Sequence, residues 1–583
     1  MRGYRLLYGL AILALLIHTA VGYLVPLVAS GTIDYALSGE TVENSLPARA
    51  IQLLGGEAVV RDSLWRPALA IVLLTMFGGL FHYLKGHLSA LASDGIARRL
   101  KDRLFDHLQR LPSAYHDKAD SGDTIQRCTS DVETLRLALA SQVVDVGNAL
   151  LLLLTAIPLM IFLDGRMTVA SFVLLGPIIF FGFFFFARVR DTFQQVDEAE
   201  GKVTRVVQEN LTGLRVVRAF ARQEFEIGKF AGPNQLYRDR QLRLLRILAY
   251  YWSISDLIVL LQQGIVLLVG IHFISTGTLT VGTLFAFMMF LNLLLWPVRQ
   301  MGRTLTDLGK SVVALTRVGQ ILSEAGESAP AAPKTPLGAP KGRIEVRDLV
   351  FAHAEGHAAI NGISFTVEPG ETLAILGPSG AGKSTLMHLL LRLYDYQEGT
   401  VRLDGLELRE ADRRWVRAQF SVVMQEPFLY SKTIGENIRL GRTSAEPRDV
   451  LSAARMAHID ETIQTFPQGY ETLVGERGIT LSGGQRQRVA LARALLREAP
   501  VLLLDDALSA VDAETEATIL EALRQRHGKR TTLVIAHRLS TLAHADQIIV
   551  LDAGRILQQG THADLVRQDG LYRRLWEIQN AVA

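Results

Sequence analysis

The sequence predicts an all-α membrane domain of six helices with long cytoplasmic helical extensions, followed by an α/β domain built around a phosphate-binding loop. Three observations predict this fold class. The chain has 583 residues, which is too many for one hydrophobic core. It is 49% hydrophobic, with long uncharged apolar stretches concentrated in the first half. The second half holds a glycine-rich GxxxxGKS motif between a predicted strand and a predicted helix.

Six apolar stretches in the first half are long enough, or nearly long enough, to cross a bilayer, which takes a helix of roughly 20 residues. These stretches are residues 6–29, 67–84, 143–163, 169–187, 247–274 and 281–298. Short polar turns join spans three to four and five to six, whereas long polar segments follow spans two and four. We assign residues 1–322 to the membrane domain.

The distribution of Lys and Arg predicts how these spans are oriented. Both residue types accumulate in the long polar segments after spans two and four and are sparse in the loops between the other spans. By the positive-inside rule, both long segments, the N-terminus and everything after span six lie in the cytoplasm. The protein is therefore predicted to be a multi-pass protein of the inner (plasma) membrane.

The two long cytoplasmic segments are predicted to be helical. Residues 88–111 and 203–225 place apolar side chains at three- and four-residue spacing with charges between them. The membrane helices are therefore expected to continue into the cytoplasm and to turn near residues 121–123 and 211–213. These turns lie in candidate coupling segments, near 115–130 and 208–225, which could contact a partner domain.

A change in composition separates the two halves. Proline, alanine and glycine dominate residues 323–341, which is typical of a flexible linker. From residue 342 to 583, short β-branched runs alternate with amphipathic stretches, as expected of an α/β domain.

The first strong motif of this domain is the run Gly-Pro-Ser-Gly-Ala-Gly-Lys-Ser at residues 377–384. Strand-like residues 372–376 precede it and a helix-like stretch follows, as a phosphate loop requires. Its backbone N–H groups and the helix N-terminus would bind a phosphate chain, with Lys383 reaching the terminal phosphates and Ser384 binding Mg²⁺. The predicted nucleotide-binding residues here are Gly377, Ser379, Gly380, Gly382, Lys383, Ser384 and Thr385.

The second motif is the run Val-Leu-Leu-Leu-Asp-Asp at residues 501–506. Four apolar residues that end in carboxylates predict a buried parallel strand, with its acids at the carboxyl edge of the sheet. Asp505 is placed to hold Mg²⁺ through water. Together with the phosphate loop, this strand predicts a domain that binds ATP and Mg²⁺ and hydrolyses the nucleotide.

The third motif is Leu-Ser-Gly-Gly-Gln at residues 481–485, about twenty residues before the acidic strand. Its residue types favour a turn into a helix, with Ser482 as the cap and backbone amides open to an anion. With all three motifs in this order, the chain resembles the ABC transporter family over essentially its whole length. It is most similar to exporter-type half-transporters, which include multidrug pumps and lipid flippases.

This resemblance implies further roles. Gln425 matches the loop that links the γ-phosphate and Mg²⁺ to the membrane domain, and His537 matches the switch histidine that contacts the γ-phosphate. Residues 509–512 match the loop that crosses between two nucleotide-binding domains, and residues 475–478 match a segment that meets the partner's coupling helices.

The resemblance also implies a head-to-tail dimer of nucleotide-binding domains. ATP would then lie between the phosphate loop of one domain and the third motif of the other. The residues of that motif implied to contact nucleotide are Ser482, Gly483, Gly484 and Gln485.

Two positions depart from the family pattern. Asp506 stands where the family has a glutamate that polarises the attacking water. Its side chain is one methylene shorter, which withdraws the carboxylate by roughly 1 to 1.5 Å, and a misplacement of about 1 Å can cost on the order of a hundredfold in rate. His353 stands where a tyrosine usually stacks on adenine. The favoured interpretation is the slow-site chain of a heterodimer whose partner carries the glutamate; the alternative is a homodimer in which Asp506 works at both sites.

The substrate is predicted only by class. Polar side chains inside membrane spans are costly and often functional; here they are Asp145, Asn148, Asp256, Gln262 and Gln263. The two acids would suit a cationic or amphipathic substrate, and the alternative for each residue is interhelical hydrogen bonding. The net charge of +3 does not suggest nucleic-acid binding.

Export of lipophilic or amphipathic compounds or lipids is the favoured function, with membrane lipids and a small amphipathic substrate as expected partners. An importer built on the same architecture and a regulatory ATP-binding subunit or gated channel remain alternatives.

Overall fold

The computed structural model describes residues 3–38, 45–327, 334, 338–353, 356, 358–475, 478–524, 530–536, 538 and 542–582. The chain divides into two compact units. The first comprises residues 1–110 and 119–324, and the second comprises residues 111–118 and 325–583.

In chain order, the helices up to Ser323 are α1 (Arg5–Gly31), α2 (Leu46–Leu53), α3 (Glu57–Asp62), α4 (Trp65–Leu108), α5 (Ser113–Lys118), α6 (Ser121–Gln126), α7 (Val132–Leu137), α8 (Val143–Leu163), α9 (Gly165–Phe172), α10 (Leu175–Ala219), α11 (Gln223–Ser275) and α12 (Val281–Ser323). All of them belong to the first unit except α5, which belongs to the second. In the described part of the chain, six helical stretches are long and apolar enough to span a membrane, and they contain the six predicted spans.

The predicted helical extensions are confirmed. Helices α4, α10 and α11 have 44, 45 and 53 residues. At a rise of 1.5 Å per residue each is longer than about 60 Å, roughly twice the 30 Å hydrocarbon core of a bilayer. Half or more of each helix therefore lies outside that core.

One predicted turn position is wrong. Residues 211–213 lie inside α10, since a single glycine costs a long helix only about 1 kcal/mol. The chain reverses at 220–222 instead, where Ala221 adopts a left-handed φ of 50°. The turn predicted near residues 121–123 lies beside the break between α5 and α6 at 119–120, where the Asp120 carboxylate accepts hydrogen bonds from the backbone N–H groups of Gly122 and Asp123 and caps α6.

Helix α12 supplies much of the core of the first unit. Its side chains Phe287 and Phe290 are fully buried, and Leu291 and Leu294 are nearly so. At the start of α12 the approach to α1 is close: a Cβ on Gly282 would lie 2.2 Å from the Ser30 carbonyl oxygen. Only glycine fits at this crossing.

The second unit is an α/β domain with two sheets. Its strands are β1 (Ile344–Ala352), β2 (Ala358–Val367), β3 (Thr372–Leu376), β4 (Glu398–Leu403), β5 (Leu406–Glu407), β6 (Phe420–Val423), β7 (Val501–Asp505), β8 (Thr531–Ile535), β9 (Gln547–Asp552) and β10 (Arg555–Gly560). One sheet has the order β2-β1-β4-β5 with antiparallel pairs. The other has the order β10-β9-β3-β8-β7-β6, in which every pair except β10–β9 is parallel.

Helices pack around these sheets. They are α13 (Lys383–Leu390), α14 (Arg413–Ala418), α15 (Ile434–Arg439), α16 (Pro447–Met456), α17 (Asp460–Gln464), α18 (Gly483–Leu496), α19 (Ala513–Arg524), α20 (His562–Arg567) and α21 (Leu571–Val582). The predicted strands 372–376 and 501–505 are confirmed as β3 and β7, and all five residues of β7 are buried.

Candidate active site

The candidate site lies at the carboxyl ends of neighbouring parallel strands. The phosphate loop follows β3, Gln425 follows β6 on an exposed coil, and Asp505 ends β7. Because carboxyl ends of parallel strands share one edge of a sheet, this topology collects residues that are more than a hundred positions apart in sequence. Strand β8, between β3 and β7, ends at Ile535, and His537 lies outside the described residues, as do Glu476 and Arg477 of the segment 475–478.

The phosphate loop has the backbone geometry that its glycines allow. Gly380 and Gly382 have φ angles of 82° and 96°, in the left-handed region that favours glycine. A Cβ on Gly382 would lie 2.3 Å from the Ala359 carbonyl oxygen, whereas a Cβ on Gly380 would meet open space. The loop then enters α13 at Lys383, and no side chain caps the N–H groups of the first turn, which have no partner within the helix. This cradle fits a phosphate chain.

Lys383 is held against the first turn of that loop. Its ammonium donates to the carbonyl oxygens of Gly377 and Pro378, both at 2.8 Å, and the side chain is buried. Burial lowers the pKa of Lys383, and the carboxylates of Asp505 and Asp506 oppose that effect. The cation is therefore positioned beside the loop interior with carboxylates near it.

Asp505 and Ser384 form the acidic side of the site. The Asp505 carboxyl is 4% exposed and accepts a hydrogen bond from Ser384. Burial raises the pKa of Asp505, while the Ser384 hydrogen bond and the charge of Lys383 lower it. No cluster of three His, Cys, Asp or Glu side chains able to hold a metal occurs among the described residues. This hydroxyl–carboxylate pair fits Mg²⁺, which usually takes one or two carboxylates together with substrate phosphates.

Asp506 occupies a constrained position. Its φ is 47°, in the left-handed region, and its N–H donates to the Ile535 carbonyl oxygen at 3.0 Å. Its side chain lines a cavity of about 110 Å³ together with Glu516 and Arg538. The buried Glu516 carboxylate pairs with Arg538, which also donates to the Val511 carbonyl oxygen at 3.3 Å. The backbone of the shortened acid is thus held by the end of β8.

The third motif forms the predicted helix N-terminus. The Ser482 hydroxyl accepts from the Gln485 N–H at 3.3 Å, and the Gln485 side chain accepts from the Ser482 N–H at 2.8 Å, a reciprocal capping box at the start of α18. A Cβ on Gly484 would lie 2.7 Å from the Ala510 carbonyl oxygen, so the motif packs closely on the loop 509–512. Among the described residues, no hydrogen bond joins this motif to the phosphate loop of the same chain.

Gln487 is a site residue that sequence reasoning missed. It is 4% exposed and lies one turn into α18. Its amide donates to the Ser509 hydroxyl at 3.0 Å and to the Asp506 carbonyl oxygen at 3.4 Å, and accepts from the Ala510 N–H at 2.9 Å. It therefore ties the third motif to the backbone that carries Asp506. Only its position two residues after the motif could have drawn attention to it.

Tyr394 was also missed. His353 is exposed, with its ring edge-on to Phe351 at 4.8 Å and to Tyr394 at 5.4 Å between centroids. The Tyr394 hydroxyl donates to the Asp117 carboxylate of α5 at 2.6 Å. Burial and this carboxylate raise the pKa of Tyr394 to about 12. The predicted adenine-stacking position is thus connected through Tyr394 to Asp117, which lies in the predicted coupling segment near 115–130.

Three of the polar residues predicted for a substrate cavity have other partners. Gln262 is fully buried, accepts from the Leu174 N–H and donates to the Ala170 carbonyl oxygen, so it stabilises the break between α9 and α10. Gln263 donates to the Asn292 side chain at 2.9 Å. Asp256 pairs with Arg299 at 2.6 Å.

For Asp256, the ion pair with Arg299 favours the alternative of interhelical bonding over substrate contact. Asp145 and Asn148, in contrast, line a cavity of about 200 Å³.

Comparisons with known proteins agree with this architecture. Residues 8–298 match the family model of the ABC transporter transmembrane region, and residues 360–509 match the ABC transporter family model. An "Uncharacterized ABC transporter ATP-binding protein YwjA" of Bacillus subtilis is 34% identical over 480 residues, which cover 82% of this chain and 84% of the relative. A "Putative multidrug export ATP-binding/permease protein" of Staphylococcus aureus is 32% identical over 566 residues, covering 97% and 96%.

A solved structure of a bacterial Atm1-family ABC exporter with ATP bound has a TM-score of 0.82 at 29% identity, covering 98% of this chain and 97% of that one. The predicted fold class and family are confirmed, since matches of this extent include both halves of the chain. The chain belongs to the ABC transporters, as a multi-pass half-transporter of the exporter type that couples ATP hydrolysis to transport across the inner membrane.

Proposed function

We propose that this chain exports lipophilic or amphipathic compounds or lipids as one half of a heterodimer, and that its own ATP site turns over slowly. The observation that carries the proposal is Asp506, which directly follows the Mg²⁺-type aspartate at the end of β7 and is one methylene shorter than the family's glutamate. The third motif, at 481–485, is intact and capped. The partner would be a second half-transporter that carries the catalytic glutamate. The Staphylococcus aureus relative, named a putative multidrug export protein, supports multidrug export as the activity class.

The residues of this site would divide the work of nucleotide binding. ATP supplies the phosphoanhydride bond that is cleaved, and Mg²⁺ neutralises charge on its phosphates. The loop amides and Lys383 would hold the phosphates, and Ser384, Asp505 and Gln425 would hold Mg²⁺. The residues expected to complete the nucleotide contacts are His353, Gly377, Ser379, Gly380, Gly382 and Thr385.

Hydrolysis needs a base placed against the attacking water. The Asp506 carboxylate would stand roughly 1 to 1.5 Å short of the position that a glutamate reaches, and the fixed backbone on both sides of it limits compensation. His537 would contact the γ-phosphate. Binding would thus be preserved while the chemical step slows by about a hundredfold.

The packing of the third motif within its own chain supports the proposal of a partner. Ser482, Gly483, Gly484 and Gln485 would contact the nucleotide of the other protomer, since in their own chain they pack on the loop 509–512. The same geometry would let this chain complete a working site on its partner. We further propose residues 1–322 as the membrane domain, 323–341 as the linker and 342–583 as the nucleotide-binding domain, with coupling segments near 115–130 and 208–225.

The test is ATPase activity of this chain purified alone in nanodiscs, next to Asp506→Glu and to Lys383→Ala as the background control. Turnover at the Lys383→Ala level in both the wild type and Asp506→Glu, restored by adding a different half-transporter, supports the heterodimer. Turnover that is low in the wild type and rises about a hundredfold in Asp506→Glu means a homodimer limited by this acid. Brisk wild-type turnover means that Asp506 is competent, and the slow-site proposal fails.

A further inference from the structure

The end of the phosphate-loop helix is held by arginines of the helix that follows it in the chain. Helix α13, which begins at the phosphate loop, ends at Leu390. The Arg417 side chain on α14 donates to the carbonyl oxygens of Leu391 at 3.2 Å and of Arg392 at 2.9 Å. Arg413, one turn earlier on α14, donates to the same Arg392 carbonyl oxygen at 2.9 Å. Two guanidinium groups therefore bind carbonyl oxygens that the end of α13 leaves without a helical partner.

Glu327 binds the same two arginines. Its carboxylate accepts hydrogen bonds from both terminal nitrogens of Arg417, at 3.0 and 2.5 Å, and lies 3.6 Å from a nitrogen of Arg413. The Glu327 side chain is 19% exposed and the Arg413 side chain 10% exposed. A two-pronged contact between a carboxylate and a guanidinium is among the strong polar contacts of proteins, and partial burial reduces its screening by salt. This contact is therefore stronger than an ordinary surface ion pair.

The charges of this cluster depend on Glu327. Arg392 is 3% exposed and pairs with Asp395 at 3.2 Å, and Asp395 also pairs with Arg413. With Glu327, the three arginines Arg392, Arg413 and Arg417 meet two carboxylates, and without it they meet one. Removing one partner from a buried ion pair is costly because the remaining charge loses its compensation. Glu327 therefore helps to hold the arginines of α14 against the end of α13.

Glu327 also lies close in sequence to the last membrane helix. It belongs to the predicted linker 323–341, and α12 ends at Ser323. Only residues 324–326 separate α12 from Glu327, and fully extended they let the two ends lie at most about 14 Å apart. So short a stretch transmits a displacement from one end to the other, whereas a long flexible linker would absorb it. The contact of Glu327 with α14 thus fixes the chain to the second unit almost directly after α12.

We propose that Glu327 is a positioning residue that couples the phosphate loop to α12 within one chain. Binding of ATP and Mg²⁺ orders the phosphate loop and α13, the arginines of α14 follow the end of α13, and Glu327 passes the displacement to the end of α12. Movement of α12 acts on the phosphate loop through the same contacts, because coupling between two sites is reciprocal. The contacts belong to one protomer, so this inference depends neither on the substrate nor on whether the partner is a second copy or a different chain.

The test is hydrogen–deuterium exchange of the full-length protein in nanodiscs, with and without saturating ATP and Mg²⁺. In the wild type, the nucleotide should slow exchange severalfold in peptides that cover residues 377–390 of the phosphate loop and α13 and in peptides that cover residues 316–327 at the end of α12. In Glu327→Gln, the protection of 377–390 should remain and that of 316–327 should be lost. Without nucleotide, Glu327→Gln should open residues 324–327 roughly tenfold more often, the loss of one charge-assisted contact. Loss of a merely structural side chain would not separate the two sets of peptides.

A second variant breaks the same contact from the other side. Arg417→Gln should also lose the nucleotide-dependent protection of residues 316–327. The double variant Glu327→Gln/Arg417→Gln should match Arg417→Gln alone, because both substitutions remove one shared interaction. ATP binding, measured in parallel, verifies that each variant is folded.

The matched control is Lys334→Gln. Lys334 lies further along the same linker and pairs with Glu410 at 2.8 Å, so its loss breaks a linker ion pair that Glu327 does not share. This variant should keep the protection of residues 316–327 by nucleotide. Each of four results would overturn the proposal: no protection of 316–327 in the wild type, protection that survives in Glu327→Gln, an equal loss in Lys334→Gln, or additive losses in the double variant.

Discussion

Replacing Gln487 by alanine tests whether this side chain fixes the backbone around Asp506. The substitution removes three hydrogen bonds: to the Ser509 hydroxyl, to the Asp506 carbonyl oxygen and from the Ala510 N–H. At roughly 0.5 to 1.5 kcal/mol net for each bond, and with one of them long, we expect a local loss of about 2 kcal/mol. That loss corresponds to roughly thirtyfold more frequent opening of this loop.

The assay is hydrogen–deuterium exchange of the full-length protein, followed by mass spectrometry of peptides that cover residues 504–511. The Ala510 amide, which donates to the Gln487 side chain, should exchange about thirtyfold faster in Gln487→Ala, and ATPase activity of the assembled transporter should fall with it. Gln568→Ala removes an exposed amide from the same unit and should change neither. Unchanged exchange in these peptides would refute the role assigned to Gln487.

Three further outcomes follow from the structure. Lys383→Ala should weaken binding of ATP to this chain roughly tenfold or more, because it removes the cation expected at the terminal phosphates. The melting temperature should change little, because Lys383 bonds only loop carbonyls, and a large fall in melting temperature would contradict this. Because burial raises the pKa of Asp505, this carboxylate becomes protonated at a higher pH than an exposed aspartate does. Mg²⁺-dependent nucleotide binding should therefore fall as the pH is lowered, and excess Mg²⁺ should shift the midpoint of that fall to lower pH. A midpoint that does not change with the Mg²⁺ concentration would contradict the role of Asp505. Gly282→Ala should lower the free energy of unfolding by about 1 to 3 kcal/mol, seen as a lower melting temperature in detergent, because the added Cβ would meet the Ser30 carbonyl oxygen. The control Gly264→Ala, whose added Cβ meets nothing within 4 Å, should not lower the melting temperature.

The sequence alone was sufficient for features that depend on local chemistry. Apolar length predicted the spans, because a helix must satisfy its own backbone in lipid. The phosphate loop, the strand β7 and the cap by Ser482 were each readable from a few neighbouring residues, since turn, strand and capping preferences act over short distances.

Turn positions were predicted less well. The chain reversal after α10 was expected at residues 211–213 and occurs at 220–222. Ala221 has a left-handed φ there, whereas the earlier Gly213 continues the helix.

Only the tertiary structure decided which side chains meet across long separations in sequence. Gln487 became a partner of Asp506, and Asp256 became a partner of Arg299, because folding brought together groups that carry no local signal. Sequence patterns report what a residue prefers locally, whereas a hydrogen bond or an ion pair between distant elements exists only once the chain has folded.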